Sequence, residues 1–289
     1  MNRQLYLECY SGISGDMTVA ALLDLGADEQ ILRKALASLP VGGFEIAVTR
    51  KVKSGLDVCD FDVILDAEHE NHDHDMEYLH GHDHQHIHDH DHSHEHVHED
   101  GSVHTHEHHH HAHSHEHHHD HGHHHEHRGL HEILHIIEHA DMTERAKETA
   151  VRIFRILAEA ESKAHGVPAD QVHFHEVGAV DSIVDILAVA VCLDNLDITE
   201  VIVPFLCEGQ GTIRCQHGII PVPVPAVVNI AQAHGLTLKP TGVQGELVTP
   251  TGAAIVAAVR TSDKLPQTCR IVKIGMGAGK REYEGTGVL

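Results

Sequence analysis

Apolar positions recur along this chain with two periods, every second residue in some stretches and every third or fourth in others. Residues 5–8, Leu-Tyr-Leu-Glu, predict a short strand. The small polar residues 11–16 follow, and 17–25 are apolar at helical spacing, so the amino-terminal part reads as strand, glycine loop and helix. A second helix over 28–39 stops at Pro40, and 44–53 alternate as a half-buried strand does. Leu130, Ile133, Leu134 and Ile137 mark one amphipathic helix, and Ala146, Ala150, Ile153, Phe154 and Leu157 mark a longer one ending near Gly166. Residues 172–175 are strand-like, 182–196 form a mostly buried helix, and 200–206 form a β-branched strand. Pro221, Pro223 and Pro225 force an extended segment ahead of a helix over 226–233. Thr249 caps a last helix with Pro250 at its favoured first position, and a final strand over 270–274 leads into Gly275-Met276-Gly277-Ala278-Gly279-Lys280. This alternation predicts an α/β fold, a layered sheet with helices, and no repeat of solenoid length interrupts it.

Between residues 69 and 127 the pattern vanishes. That stretch holds 29 of the 37 histidines and 14 carboxylates, with no Lys or Arg. Such a composition cannot bury enough apolar surface to offset the entropy of ordering it, so 69–127 reads as a disordered, metal-binding insertion. It divides an α/β domain into 1–68 and 128–289. The formal net charge is −24 with histidine neutral, of which the tract carries −14. The sign of the charge is therefore set by the side chain that titrates nearest neutral pH.

Several classes are excluded. The longest apolar run, 186–193, is far short of the roughly 20 residues needed to span a bilayer. The amino terminus has no apolar signal core, and the six cysteines include no CxxC pair, which fits a reducing, cytoplasmic setting. With no Trp, few aromatics and no basic stripe, the chain lacks the footprint of a nucleic-acid binder. A homo-oligomer is left open.

Imidazoles interleaved with carboxylates chelate divalent ions, and His108, His110, His117, His119, His123 and His125 stand for the ligands of the tract. Affinity alone favours copper over nickel, so the tract does not select its metal. The sharper constellation is Val172 to Asp185. On a strand His173 and His175 share a face, and on the next helix Asp181 and Asp185 lie one turn apart. With Glu176 these make a two-histidine, carboxylate site suited to nickel, iron or zinc. The structural alternative is Asp181 as helix N-cap and Ser182 with Asp185 as a capping box. Ser11, Gly12, Ser14, Gly15 and Asp16 sit between a strand and a helix start, where backbone N–H groups bind phosphate. They lack the Walker lysine, and Asp16 suits a metal-bridged phosphate or a cap. The 275–280 run looks like a phosphate loop but is followed by no helix. His217 reads as a pocket-facing ligand or a surface histidine.

Together, SGISGDM, the acidic histidine-rich insert, VHFHEVGAVDSIVDI, HGIIPVPVPA, GELVTPTGAA and GMGAGKREYE resemble the LarC nickel-insertion family along the whole chain. The resemblance implies CTP-dependent insertion of Ni(2+) into pyridinium-3,5-bisthiocarboxylic acid mononucleotide, with two Ni–S bonds and one Ni–C bond. The product cofactor would serve a lactate racemase-type apoenzyme. Family members continue into a further domain carrying the CTP site, with Mg(2+) or Mn(2+), sometimes joined by a ribosomal frameshift. This chain therefore reads as the amino-terminal part. In that reading Glu176, Asp181 or Asp185 takes the ring proton and His173, His175 and His217 hold nickel. The rivals are a nickel store or delivery protein that transforms nothing, and a metal-dependent hydrolase built on the same cluster.

Overall fold

The computed structural model describes residues 3–66, 129–172, 180–215, 218–283 and 285–289, with the backbone of 96–97 and 103–104. The chain divides into two units, 1–73 with 126–289, and 74–125. Within the second unit the described residues are the two-residue strands β4 (His96–Val97) and β5 (Val103–His104), paired antiparallel.

The elements preceding these are β1 (Arg3–Tyr6), α1 (Gly15–Leu25), α2 (Glu29–Ala37), β2 (Phe44–Lys53) and β3 (Leu56–Leu65). Those following are α3 (Leu130–His139), α4 (Glu144–His165), α5 (Val180–Asn195), β6 (Ile198–Ile202), β7 (Leu206–Gln210), β8 (Thr212–Cys215), β9 (Gly218–Pro221), α6 (Pro225–His234), β10 (Leu238–Gln244) and α7 (Pro250–Val259). No helix among the described residues is long and apolar enough to cross a membrane.

The centre of the larger unit is α5. Ile183, Ile186 and Leu187 are fully enclosed, and the helix packs against α1, α2 and α4, while α4 carries α6 and α7 on its other contacts. Truncating one of these side chains to Ala would cost about 2–5 kcal/mol, transfer and cavity terms together. Local signals placed the helix ends. Asp28 accepts from the N–H groups of Gln30 and Ile31, Thr143 accepts from Ala146, and Gly166 closes α4 in the left-handed conformation. Thr249 accepts from Gly252 at 3.1 Å with Pro250 first in α7, as the sequence predicts.

The fold is mixed α/β, but its strands form two-stranded ladders instead of one layered sheet. β1–β6 and β7–β10 are parallel, and β2–β3 and β8–β9 are antiparallel. The run predicted as one strand over 200–206 is split between β6 and β7, because Pro204 has no N–H to give a ladder. The predicted strand over 270–274 has no ladder partner among the described residues, and Ile271, Val272 and Ile274 are exposed. Pairing resumes just beyond it, where Cys59 N–H donates to Met276 O and Ala278 N–H donates to Cys59 O. The glycine run is built for helix contact: a Cβ on Gly277 would lie 2.1 Å from Met17 O, and one on Gly275 2.2 Å from Ala21 O, both on α1.

Candidate functional site

Two sequence-distant loops form the frame of the site. Gly12, at φ +85°, presses so closely on Leu247 that a Cβ would fall 1.9 Å from the Leu247 carbonyl oxygen. Ile13 N–H donates to that oxygen at 2.9 Å, and Thr249 N–H donates to Ile13 O at 3.1 Å. Ser11 Oγ meets Thr286 Oγ1 at 2.9 Å. The loop 11–16 is thus held by the segment leading into α7 and by the carboxy-terminal residues.

Ser14, in extended conformation, is the N-cap of α1, with Gly15 and Asp16 as the first helical residues. The Ser14 hydroxyl donates to the Asp16 carboxylate, and Thr18 Oγ1 donates to Ser14 O at 2.7 Å. Asp16 is buried. The start of α1 abuts α5. A Cβ on Gly15 would lie 2.6 Å from Asp185 Oδ2, so only glycine leaves room for that carboxylate, and the Asp16 backbone N–H donates to it. Asp181 lies one turn earlier on α5, inside the helix and not at its cap, where the helix dipole favours an acid.

Asp185 is the most perturbed group of the cluster. Its Oδ1 is out of solvent contact and has no hydrogen-bond partner among the described residues. Burial first, then the charges of Asp16 and Asp181, push its proton affinity well above the usual carboxylate range, with Lys280 acting in opposition. Burial alone would lower Lys280. Its bond to Asp62, Nζ to Oδ1 at 2.7 Å, and the charges of Asp16 and Asp185 outweigh that and hold the ammonium above its ordinary value.

A second group adjoins the first through residues 246–248. Glu208 Oε1 accepts from the N–H groups of Gly209 at 2.8 Å, Leu247 at 2.8 Å and Val248 at 3.2 Å, while Oε2 has no partner among the described residues. Burial raises the Glu208 carboxyl, and those backbone donors offset part of the rise. Arg281 pairs with Glu246 at 2.8 Å, and Tyr283 Oη donates to Glu246 O at 2.8 Å.

Of the residues singled out from sequence, Ser11, Gly12, Ser14, Gly15, Asp16, Asp181 and Asp185 therefore converge. His173, His175, Glu176, His217 and the tract histidines His108, His110, His117, His119, His123 and His125 lie outside the described residues. Among the described residues no three His, Cys, Asp or Glu side chains converge as a metal site. Lys280, Asp62, Glu208 and Arg281 were not foreseen as members of this site. Lys280 and Arg281 lie in the GMGAGKREYE motif, while nothing in the sequence around Asp62 or Glu208 marked them. The start of α1 does not fit the CTP that the resemblance implies, because the Asp185 carboxylate fills it and Asp16 and Asp181 would repel a triphosphate.

The sequence pattern of a family described as nickel insertion protein matches residues 5–289. The pyridinium-3,5-bisthiocarboxylic acid mononucleotide nickel insertion protein of Alkaliphilus metalliredigens is 48% identical over 289 residues, covering 100% of this chain and 60% of the relative. Proteins of the same description are 36% identical in Acetivibrio thermocellus, over 97% of this chain and 57% of the relative, and 37% identical in Geobacillus kaustophilus, over 96% and 56%. The chain spans less than two thirds of the length of these relatives. No solved structure matches it.

Proposed function

The chain belongs to the nickel insertion protein family, and on that premise we propose that it carries the proton-accepting part of nickel insertion into pyridinium-3,5-bisthiocarboxylic acid mononucleotide. The observation that supports this most is the convergence of Asp16 from α1 and Asp181 and Asp185 from α5 on one helix start, opposed by Lys280. In the reaction a ring C–H bond breaks as the Ni–C bond forms, so a proton must leave the carbon between the two thiocarboxylates. Asp185 receives it. Its raised proton affinity makes it a stronger acceptor than a solvated carboxylate, and the Asp16 backbone N–H fixes its orientation. The Lys280 ammonium, bound to Asp62, faces Asp16 and Asp185 and offsets the carboxylate charge of the cluster. Nickel is substrate here, gathered by the histidine tract and presented by His173, His175 and His217. CTP and its Mg(2+) or Mn(2+) are assigned to the region of the longer relatives that this chain does not match. A lactate racemase-type apoenzyme receives the product.

The histidine count supports a second reading, a nickel store, since 29 histidines in 59 residues exceed what one catalytic ion needs. One experiment separates the two. The chain is incubated with Ni(2+), the mononucleotide, CTP and the carboxy-terminal part of the Alkaliphilus relative, and the products are examined by mass spectrometry. A nickel-bearing nucleotide is the expected outcome. Many bound nickel equivalents with unchanged nucleotide would leave the store reading standing instead.

A further inference from the structure

The parallel pairing of β7 and β10 sets Lys239 opposite Cys207, and Cys207 N–H donates to Cys9 O at 3.1 Å. This register brings three side chains together that are far apart in sequence. Tyr10 and Phe205 meet edge to face, ring centroids 5.4 Å apart at 76°. Lys239 Nζ lies 5.0 Å from the Phe205 centroid and 5.9 Å from that of Tyr10. The chain has 44 acidic and 20 basic side chains, yet no carboxylate among the described residues pairs with Lys239. Its charge is held over aromatic faces and remains available to an anion. Tyr10 is 52% exposed and directly precedes the Ser11–Asp16 loop.

We infer that Tyr10, Phe205 and Lys239 form a subsite for an aromatic mononucleotide, with its planar ring against Tyr10 and its phosphate on the Lys239 ammonium. This deepens the proposed function, on which it rests, by assigning residues to substrate capture that are separate from those that take the proton. The chemistry matches. A pyridinium ring is attracted to the face of a tyrosine, and a phosphate forms a charge-assisted hydrogen bond with an ammonium. The edge-to-face contact with Phe205 holds the Tyr10 ring in place, so little ordering is needed on binding.

The probe is nicotinic acid mononucleotide, a pyridinium carboxylate with a ribose 5′-phosphate, titrated into the full chain by equilibrium dialysis without nickel. Because the protein has no Trp and four Tyr, quenching of tyrosine emission gives a second readout. Wild type should bind, Lys239→Gln and Tyr10→Ala should each bind at least tenfold more weakly, and Lys239→Arg should recover most of the loss. The riboside lacking phosphate should bind wild type and Lys239→Gln equally weakly. All variants are compared at equal folded fraction by thermal melt. Wild-type affinity in both loss variants would overturn the subsite, as would absence of binding to wild type at millimolar probe. The two proposals fail separately. Nickel insertion that survives both substitutions at an unchanged KM sinks the subsite alone, and probe binding lost with Lys239 in a chain that inserts no nickel sinks the activity alone.

Discussion

Glu208 on β7 and Leu247, thirty-nine residues later, are joined by a hydrogen bond of 2.8 Å from the Leu247 N–H to the Glu208 carboxylate. Through it the strand holds the segment against which Gly12 and Ile13 are pressed, and so sets the start of α1. Glu208→Ala would leave the N–H groups of Gly209, Leu247 and Val248 without their acceptor. The expected cost is about 2–5 kcal/mol, several unpaired buried donors at about 1–3 kcal/mol each with partial recovery by water. Glu208→Gln keeps one acceptor oxygen and should lose less. Denaturant unfolding of both variants checks this, and equal stabilities would contradict it.

The glycine run beside α1 makes a contrasting prediction. Gly277→Ala places a methyl group 2.1 Å from Met17 O, a backbone atom that cannot yield without moving the helix. It should lower Tm by several degrees, on the scale of about 2–4 °C per kcal/mol for a unit of this size. Gly42→Ala, with nothing within 4 Å of the added Cβ, should leave Tm within about a degree. Similar melts for the two would show that the close approach at Gly277 does not constrain the fold.

How far sequence could reach is clear from such contacts. The limits of β2 and the Thr249 cap of α7 follow from neighbouring residues alone, and both stand as read. The partner strand β3 was missed although Ser54 and Gly55, both at positive φ, form the two-residue turn that joins it to β2. Residues 270–274 have the composition of a strand, but a strand also needs a partner, which composition does not reveal. Asp181 and Asp185 were legible as a pair because helical periodicity places them one turn apart. That Asp185 meets Gly15 and Asp16 was not, since 169 residues separate Asp16 from Asp185 and only the packing of α1 on α5 joins them.

Nickel loading should depend on the tract and on pH. Deleting residues 69–127 is expected to remove most bound Ni(2+) and to leave the melting of the remaining chain within a few degrees of wild type, as the segment supplies no described core residue. Loading of the intact chain should fall as pH drops through about 6.5, where protons compete for imidazole nitrogen. Isothermal titration at pH 7.5 and pH 5.5 measures both effects. Unchanged stoichiometry at the lower pH would assign the metal to carboxylates.

Stability should carry the signature of Asp185. Its folded-state proton affinity is raised, so its favourable contribution is full below the ordinary carboxylate value near 4 and is lost as pH rises through the folded value. Asp185→Asn cannot lose that proton, and its amide oxygen can still accept from the Asp16 N–H. The variant should melt at or above the wild-type temperature at pH 7.5, with a flatter decline as pH rises above about 4. A variant that melts lower with an unchanged pH slope would contradict the burial of an ionisable carboxyl there.

The most direct measurement follows from these melts. Wild type and Asp185→Asn, at equal folded fraction and saturating Ni(2+), each with CTP and the carboxy-terminal part of the Alkaliphilus relative, are compared for the rate at which the mononucleotide gains nickel and loses its ring proton, by mass spectrometry, with bound nickel determined on the same samples. If Asp185 takes the proton, the variant keeps its nickel and loses insertion by about 100-fold or more, the usual contribution of a general base. Insertion at the wild-type rate by the folded, nickel-loaded variant would contradict the assignment.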